Sequence, residues 1–97
     1  MERREQIINW LKEIFDKNLS GLSYRAFIFG SQANKASLSR SDIDVGIISD
    51  DNITSYQLSK INADIENLPM LFKIDLVNFN EVDPGFKLVA LNNVESI

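Results

Sequence analysis

The 97 residues allow one compact domain over residues 1–97, and 44% hydrophobic with 25% charged residues is the composition of an ordinary globular protein. The chain has no cysteine and no histidine, which excludes thiolate and His-ligated metal sites and Ser-His-Asp hydrolysis, so any metal must be a hard cation held by oxygen. The net charge of −4 disfavours nucleic acid as a direct ligand, because such binding needs Lys and Arg on phosphates. No apolar run is long enough to span a membrane, and Met1–Glu5 lacks signal-peptide and transit-peptide features, so we expect a cytoplasmic protein.

The first half of the chain predicts a helix and two strands. Apolar residues recur at helical spacing from Glu2 to Leu19, and Gly21 follows where a helix stop is expected. The run 24–29, YRAFIF, predicts a strand that ends at Gly30-Ser31. The polar stretch that follows has room for a turn or two of helix around residues 33–36. Residues 42–48, DIDVGII, predict the second strand.

The second half predicts a helix, a strand and a last helix. Apolar residues recur at helical spacing from Ile53 to Leu68, and residues 72–79, FKIDLVNF, predict a third strand. Asp83-Pro84 predicts a helix start, with an acid at the N-cap and proline at the first helical position. We expect this helix to turn Phe86, Val89 and Leu91 inward and to fray toward the end of the chain.

The element order α-β-(short α)-β-α-β-α predicts an α/β fold, a single sandwich with one small mixed sheet and helices packed on it. Only about a dozen residues join the first two strands, which is near the lower limit for a parallel crossover. An antiparallel pair is therefore favoured, and the strand order stays open.

Three aspartates are candidates for chemistry. Asp42 and Asp44 are two apart on a strand, so their side chains leave the same face, and at about 4 Å their repulsion is on the order of 4 kcal/mol. A divalent cation bound by oxygen would offset that repulsion. Asp75 lies inside an apolar strand and would join the pair if its strand lies beside theirs. Three carboxylates suit a two-metal site for an in-line displacement.

A structural interpretation of these acids is also open. Asp42 can be a strand-start acid, Asp44 a solvated face residue, and Asp75 an ion-pair partner of Lys73 or Arg25. An isolated D-x-D pattern is short and common, so it favours this interpretation when it stands alone.

Gly30-Ser31 closes the first strand and is a candidate phosphate site. Glycine permits close backbone approach, the amides at a helix start attract phosphate oxygens, and the Ser31 hydroxyl adds a donor. The alternative is a simple strand-to-helix turn with Ser31 as its N-cap. Lys35 and Arg40 are either phosphate contacts or solvated surface charges.

Together these features resemble a known family. The segment 27–48, FIFGSQANKASLSRSDIDVGII, resembles the nucleotidyltransferase fold of the DNA polymerase β superfamily, whose pattern is a strand, Gly-Ser, about ten residues and Asp-x-Asp. The small size and the sequence S-D-I-D-V-G-I resemble those of the minimal nucleotidyltransferase (MNT) proteins. The later KIDLVNF strand is similar to the family strand that supplies a third catalytic aspartate, which corresponds to Asp75.

This resemblance implies an Mg²⁺-dependent nucleotidyltransferase. Gly30 and Ser31 would bind the triphosphate of ATP or another nucleoside triphosphate. Asp42, Asp44 and Asp75 would be the catalytic residues and would hold two Mg²⁺ ions, with Asp75 also helping to deprotonate the acceptor hydroxyl.

The resemblance also implies a partner protein. Minimal proteins of this family are often paired with a small helical HEPN-domain protein, in some pairs a toxin ribonuclease that the MNT protein neutralises by adding AMP to a tyrosine. We therefore expect an antitoxin in a hetero-oligomer, with Trp10 either an interface anchor or a partly buried core residue. Two other functions stay open: a non-catalytic subunit that inhibits or scaffolds its partner by contact, and an antibiotic nucleotidyltransferase subunit, which would need a substrate domain.

Overall fold

The computed structural model describes residues 3–30, 43–69 and 73–97, with side chains from Glu5 onward. Within these ranges lie three helices and four strands in the order α1 (Arg3–Asn18), β1 (Tyr24–Phe29), β2 (Ile43–Ser49), α2 (Ser55–Glu66), β3 (Ile74–Asn78), α3 (Pro84–Ala90) and β4 (Val94–Ser96). The predicted helical turn around residues 33–36 lies outside the described residues.

The four strands form one mixed sheet in the order β3-β2-β1-β4. β1 pairs antiparallel with both β2 and β4, while β3 lies parallel to β2. The antiparallel β1–β2 pair and the mixed α/β sheet predicted from the sequence are confirmed. The parallel β2–β3 pair is connected through α2, as a crossover between parallel strands requires.

One face of the sheet is covered by α1 and α2. The helical stripe of α1 is buried, and so are the alternate strand residues that face it; the buried members are Ile7, Leu11, Ile14, Phe15, Leu19, Ala26, Ile28, Ile43, Val45, Ile47, Ile53, Ile61 and Ile65. Ile43, Val45 and Ile47 are wholly inaccessible to solvent and belong to this core. Trp10 packs against this core half-buried, in agreement with its interpretation as a partly buried core residue.

The two long helices are also joined by polar contacts at their ends. The Asp64 carboxylate of α2 accepts a hydrogen bond from the Asn18 amide at 2.9 Å and lies 3.0 Å from the Lys17 ammonium. The Asn18 hydrogen bond, followed by that of Lys17, lowers the pKa of Asp64 from its ordinary value. These contacts set the position of the α2 C-terminal half against the end of α1.

The other face of the sheet carries an aromatic cluster formed by Phe27, Phe29, Phe79 and Phe86. Phe79 lies at its centre, with its ring centroid 4.9 Å from that of Phe27, 5.1 Å from Phe29 and 5.8 Å from Phe86. Gly46 lies under these rings, because a Cβ at this position would come within 2.5 Å of Phe27 and 2.6 Å of Phe79. The absence of a side chain at Gly46 thus lets the rings lie directly on β2.

Two expectations for the end of the chain are wrong. The last residues do not fray, because Val94–Ser96 form β4 and the Ile97 amide donates to the Ala26 carbonyl at 2.9 Å. Phe86 and Val89 do not turn fully inward, since they are 46% and 76% exposed, while Leu91 is half-buried. The α3 helix has only seven residues, so one side of it touches the sheet and the rest faces solvent.

Among the helices of the described ranges, none combines the length and the apolar character that crossing a bilayer would require.

Candidate active site

A row of residues runs across the sheet from β4 to β3 and changes from apolar to acidic on the way. Val94 pairs with Phe29, Phe29 pairs with Asp44, and Asp44 pairs with Asp75. Paired residues on neighbouring strands lie on the same face of a sheet. That face is the one with the aromatic cluster, since Phe29 and Val94 belong to it. The row therefore places two carboxylates beside an aromatic surface.

Asp44 and Asp75 are brought together by the register of β2 and β3. The strands are parallel and the two aspartates are direct partners, so their Cα atoms are about 5 Å apart. Asp44 is half-buried, and the Asp75 side chain is 42% exposed. This arrangement fulfils the condition set by the sequence, that the third strand lie beside the second.

Gly30 closes β1 immediately next to Asp44. Its φ of 74° lies in the left-handed region that favours glycine. A Cβ built on Gly30 would stand 2.7 Å from Oδ2 of Asp44, closer than packed atoms allow, and in ordinary contact with its Cγ at 3.6 Å. Glycine is therefore favoured here by its backbone angle, and a side chain would turn the Asp44 carboxylate aside.

Lys73, the residue just before β3, approaches Asp75. Its Nζ is 3.7 Å from Oδ1 of Asp75, and both side chains are substantially exposed, at 71% and 42%. An exposed pair at this distance contributes about 0–1 kcal/mol. The ion pair that the structural interpretation assigned to Asp75 is therefore present. It is weak enough for another cation to replace Lys73.

Gly30 also lines an apolar cleft. It has a volume of about 320 Å³ and is lined by Phe29, Gly30, Phe86, Val89, Ala90 and Asn93. Gly30 is thus common to this cleft and to the contact with the Asp44 carboxylate.

Part of the predicted site lies outside the described residues, namely Ser31 and Asp42, together with Lys35 and Arg40. Within the described ranges, no group of three or more acidic side chains is placed to hold a metal ion. The described part of the predicted site is thus the pair Asp44 and Asp75 with Gly30.

The family model described as "Polymerase beta, Nucleotidyltransferase" matches residues 5–97, nearly the whole chain. The chain belongs to this nucleotidyltransferase family. The resemblance inferred from Gly30-Ser31 and the aspartates is thereby confirmed at the level of the family. Membership indicates nucleotidyl transfer as the general kind of activity. No curated protein matches the chain.

Nucleotidyltransferase domains generally use a nucleoside triphosphate and a divalent metal ion. The described residues fit such an ion in two respects. Asp44 and Asp75 provide carboxylate oxygens, the ligands that Mg²⁺ prefers, on adjacent strands. The space beside Asp44 is kept open by Gly30, where any side chain would displace the carboxylate.

Sequence reasoning missed two features near the predicted site. Gly46 had a detectable signal, a glycine inside an apolar strand, which often marks close approach of another group. The cleft lined by Phe29 and Phe86 had none, because it depends on how α3 and β4 return to the sheet.

Proposed function

We propose that the chain is an Mg²⁺-dependent nucleotidyltransferase that transfers AMP, or another nucleoside monophosphate, from a nucleoside triphosphate to a hydroxyl group. The observation that carries the proposal is the in-register pair Asp44 and Asp75, with Gly30 packed against Asp44. The left-handed backbone angle of Gly30 already favours glycine at the end of β1. Binding of a charged ligand would in addition use the close approach of the Gly30 backbone to the Asp44 carboxylate.

The reaction is a displacement at the α-phosphorus. The acceptor oxygen forms a bond to that phosphorus, the bond to the pyrophosphate oxygen breaks, and pyrophosphate leaves with the bonding electrons. Gly30 and Ser31 bind the triphosphate through their backbone amides and the Ser31 hydroxyl. Asp75 takes the proton of the acceptor hydroxyl as general base.

The carboxylates of Asp42, Asp44 and Asp75 would hold the divalent ions, which neutralise phosphate charge as it develops. The chain's own contribution is to position these groups on a rigid sheet, since pre-organised charge is the main source of catalysis in phosphoryl chemistry. Lys73 would be displaced from Asp75 when the ions bind, because it is held there only by a weak exposed pair.

The acceptor is proposed to be a tyrosine of a small helical HEPN-domain partner, so that the chain acts as an antitoxin in a hetero-oligomer. The support is the resemblance to MNT proteins together with the exposed apolar side chain of Leu88 on α3, which does not line the cleft and offers apolar surface to a partner. This exposed surface also favours the second function, a subunit that inhibits its partner by contact without transfer.

The test is to incubate the chain with ATP, Mg²⁺ and a HEPN-domain protein encoded by a neighbouring gene, and to measure the intact mass of that partner. We expect a gain of one or more AMP units that is lost in Asp44→Asn and in Asp75→Asn. Asp50→Asn is the matched control, because it removes one negative charge from an exposed residue that lies outside the row of Asp44 and Asp75.

Three outcomes separate the functions. A mass gain that persists in Asp44→Asn would contradict the proposed site. A stable complex without mass gain, with the partner still neutralised by Asp44→Asn, would replace catalysis by contact inhibition. Addition of AMP to another hydroxyl acceptor, such as a free nucleoside or an RNA end, with no mass gain on the HEPN protein, would support nucleotidyl transfer and contradict the proposed acceptor.

A further inference from the structure

The cleft between Gly30 and α3 has no role in the reaction as described above. Its lining is apolar apart from Asn93, and its aromatic wall is formed by the edge-packed rings of Phe29 and Phe86, whose centroids are 6.2 Å apart. Phe86 is 46% exposed, although its ring centroid lies only 5.8 Å from that of Phe79. An exposed aromatic ring in a cleft of 320 Å³ offers a flat apolar surface to a small ligand.

The position of the cleft restricts what that ligand can be. Its lining includes Phe29, which belongs to the same row as the carboxylates, in the order Val94, Phe29, Asp44, Asp75. With strands about 4.8 Å apart, Phe29 lies roughly 5 Å from Asp44 and 10 Å from Asp75 along the sheet. A ligand lying along this row meets an aromatic surface at one end and a cation-binding carboxylate pair at the other.

A nucleotide has this division of chemistry along its length. Its base is flat, aromatic and weakly hydrated on its faces, and its phosphates bind the divalent cations that carboxylates hold. An aliphatic chain would match the cleft but not the carboxylates, and an inorganic polyphosphate would match the carboxylates but not the cleft.

We infer that the cleft lined by Phe29, Phe86, Val89 and Ala90 is the nucleobase subsite, in which the base packs on the Phe86 ring while the phosphates lie at Gly30. This inference rests on the proposed function, because it takes the carboxylate end of the row as the triphosphate site. It adds residues of β1 and α3 that the sequence motifs do not include.

The lining also determines which bases bind. The apolar walls contact the face of a base, and the binding free energy from this stacking grows with the area of the ring. The same walls offer few groups that could form hydrogen bonds with the edge of the base. Purine nucleotides should therefore bind more tightly than pyrimidine nucleotides, with little distinction between ATP and GTP.

The test compares two probes, ATP and inorganic tripolyphosphate, each titrated with Mg²⁺ into the full chain by calorimetry. The wild type should bind ATP more tightly than tripolyphosphate. Phe86→Ala should weaken ATP binding roughly tenfold, within the range seen when a base-stacking aromatic side chain is replaced by alanine, and should leave tripolyphosphate binding unchanged. Asp44→Asn should weaken both probes.

A second pair of variants tests the cleft without the risk that Phe86→Ala weakens ATP binding by destabilising the fold. Val89 and Leu88 are adjacent on α3 and almost equally exposed, at 76% and 77%, but only Val89 lines the cleft. Val89→Ser should weaken ATP binding selectively, and Leu88→Ser should not.

The possible results test the nucleobase subsite and the proposed nucleotidyltransferase function separately. Equal ATP affinity in wild type, Phe86→Ala and Val89→Ser would overturn the base subsite, and so would an equal loss for ATP and tripolyphosphate. Retained ATP binding with loss of transfer in Phe86→Ala would assign the cleft to the acceptor instead. Unchanged affinity in Asp44→Asn, with the Phe86 effect intact, would contradict the proposed function and leave the cleft supported. Binding of neither probe to the wild type would overturn both.

Discussion

Gly21 and Gly30 are two glycines with similar backbone angles and different surroundings. Their φ values are 88° and 74°, so a side chain at either position costs about 1–2 kcal/mol of backbone strain. A Cβ at Gly21 would meet nothing within 4 Å, whereas a Cβ at Gly30 would press on the Asp44 carboxylate at 2.7 Å. Gly21 is therefore a control for backbone strain alone.

We predict that Gly30→Ala and Gly21→Ala share a similar cost in backbone strain and differ in ligand binding. Gly30→Ala should unfold at lower denaturant than Gly21→Ala, by the cost of moving Asp44, and should lose most of its affinity for Mg²⁺ and ATP. Urea denaturation and titration calorimetry measure the two effects. If both variants bind ATP like the wild type, the contact between Gly30 and Asp44 has no part in the site.

At the level of single elements, the start of α3 depends on one side chain. Oδ2 of Asp83 accepts hydrogen bonds from the amides of Gly85 at 2.9 Å and Phe86 at 3.3 Å. Helix α2 has an equivalent cap in Thr54, whose hydroxyl accepts from the Gln57 amide at 3.1 Å. The two caps stabilise different helices, and only α3 borders the cleft.

We predict that Asp83→Ala and Thr54→Ala each lower the free energy of unfolding by about 1 kcal/mol, the usual cost of losing an N-cap. Only Asp83→Ala should also weaken ATP binding, because fraying of α3 displaces Phe86. Chemical denaturation and ATP titration of both variants provide the comparison. An equal effect of the two substitutions on ATP affinity would show that α3 does not form part of the nucleotide site.

The contact between α1 and α2 should make stability depend on acid pH. The Asn18 and Lys17 contacts lower the pKa of Asp64 below 3.8, so the folded state favours the ionised form more than the unfolded chain does. This contribution is fully present above the unfolded pKa and is lost as the pH falls through the folded pKa. We predict that the stability difference between wild type and Asp64→Asn is greatest near neutral pH and shrinks below about pH 4.

The measurement is urea denaturation of both proteins between pH 3 and pH 7. Glu66→Gln is the control, because Glu66 is an exposed acid on the same helix. A difference between wild type and Asp64→Asn that stays constant over this range would rule out the linkage.

Elements with strong local signals were predictable, and the others were not. The start of α3 followed from Asp83-Pro84, because a cap and a proline act within one turn. β4 was missed because Val94–Ser96 has three residues, too few to show alternation. The inward face of α3 was wrong because two turns of helix do not define a stripe, and its exposure depends on how much of the sheet the helix covers.

The candidate site shows the same division. Residue spacing alone placed Asp44 opposite the core face, because alternation along a strand is a local property. The pairing of Asp44 with Asp75 required the strand order, in which β3 returns beside β2 through α2. Strand order is set by packing over the whole chain, so no pattern near Asp75 reveals it.

For the whole molecule, binding of ligand should raise the thermal midpoint. A ligand that binds only the folded state at a hundredfold excess over its Kd adds about 2.7 kcal/mol. For a domain of this size, each kcal/mol corresponds to roughly 4–8 °C. We predict an upward shift of about 10 °C or more in saturating Mg²⁺ and ATP, absent in Asp44→Asn and retained in Asp50→Asn. An equal shift in Asp44→Asn and wild type would place the ligand elsewhere.

The antiparallel pairing of β1 with β2 has a consequence for the evolution of the connection between these two strands. Two residues suffice to join antiparallel neighbours, yet thirteen residues, 30–42, stand between Phe29 and Ile43. The sheet does not demand this excess, and the entropy of closing a loop rises by only about 0.6 kcal/mol for each doubling of its length. Changes in the length of this segment beyond Gly30 therefore cost little free energy of folding, whereas Gly30 itself is constrained by its left-handed φ. Selection on ligand preference can thus alter the length of this connection with little effect on the scaffold.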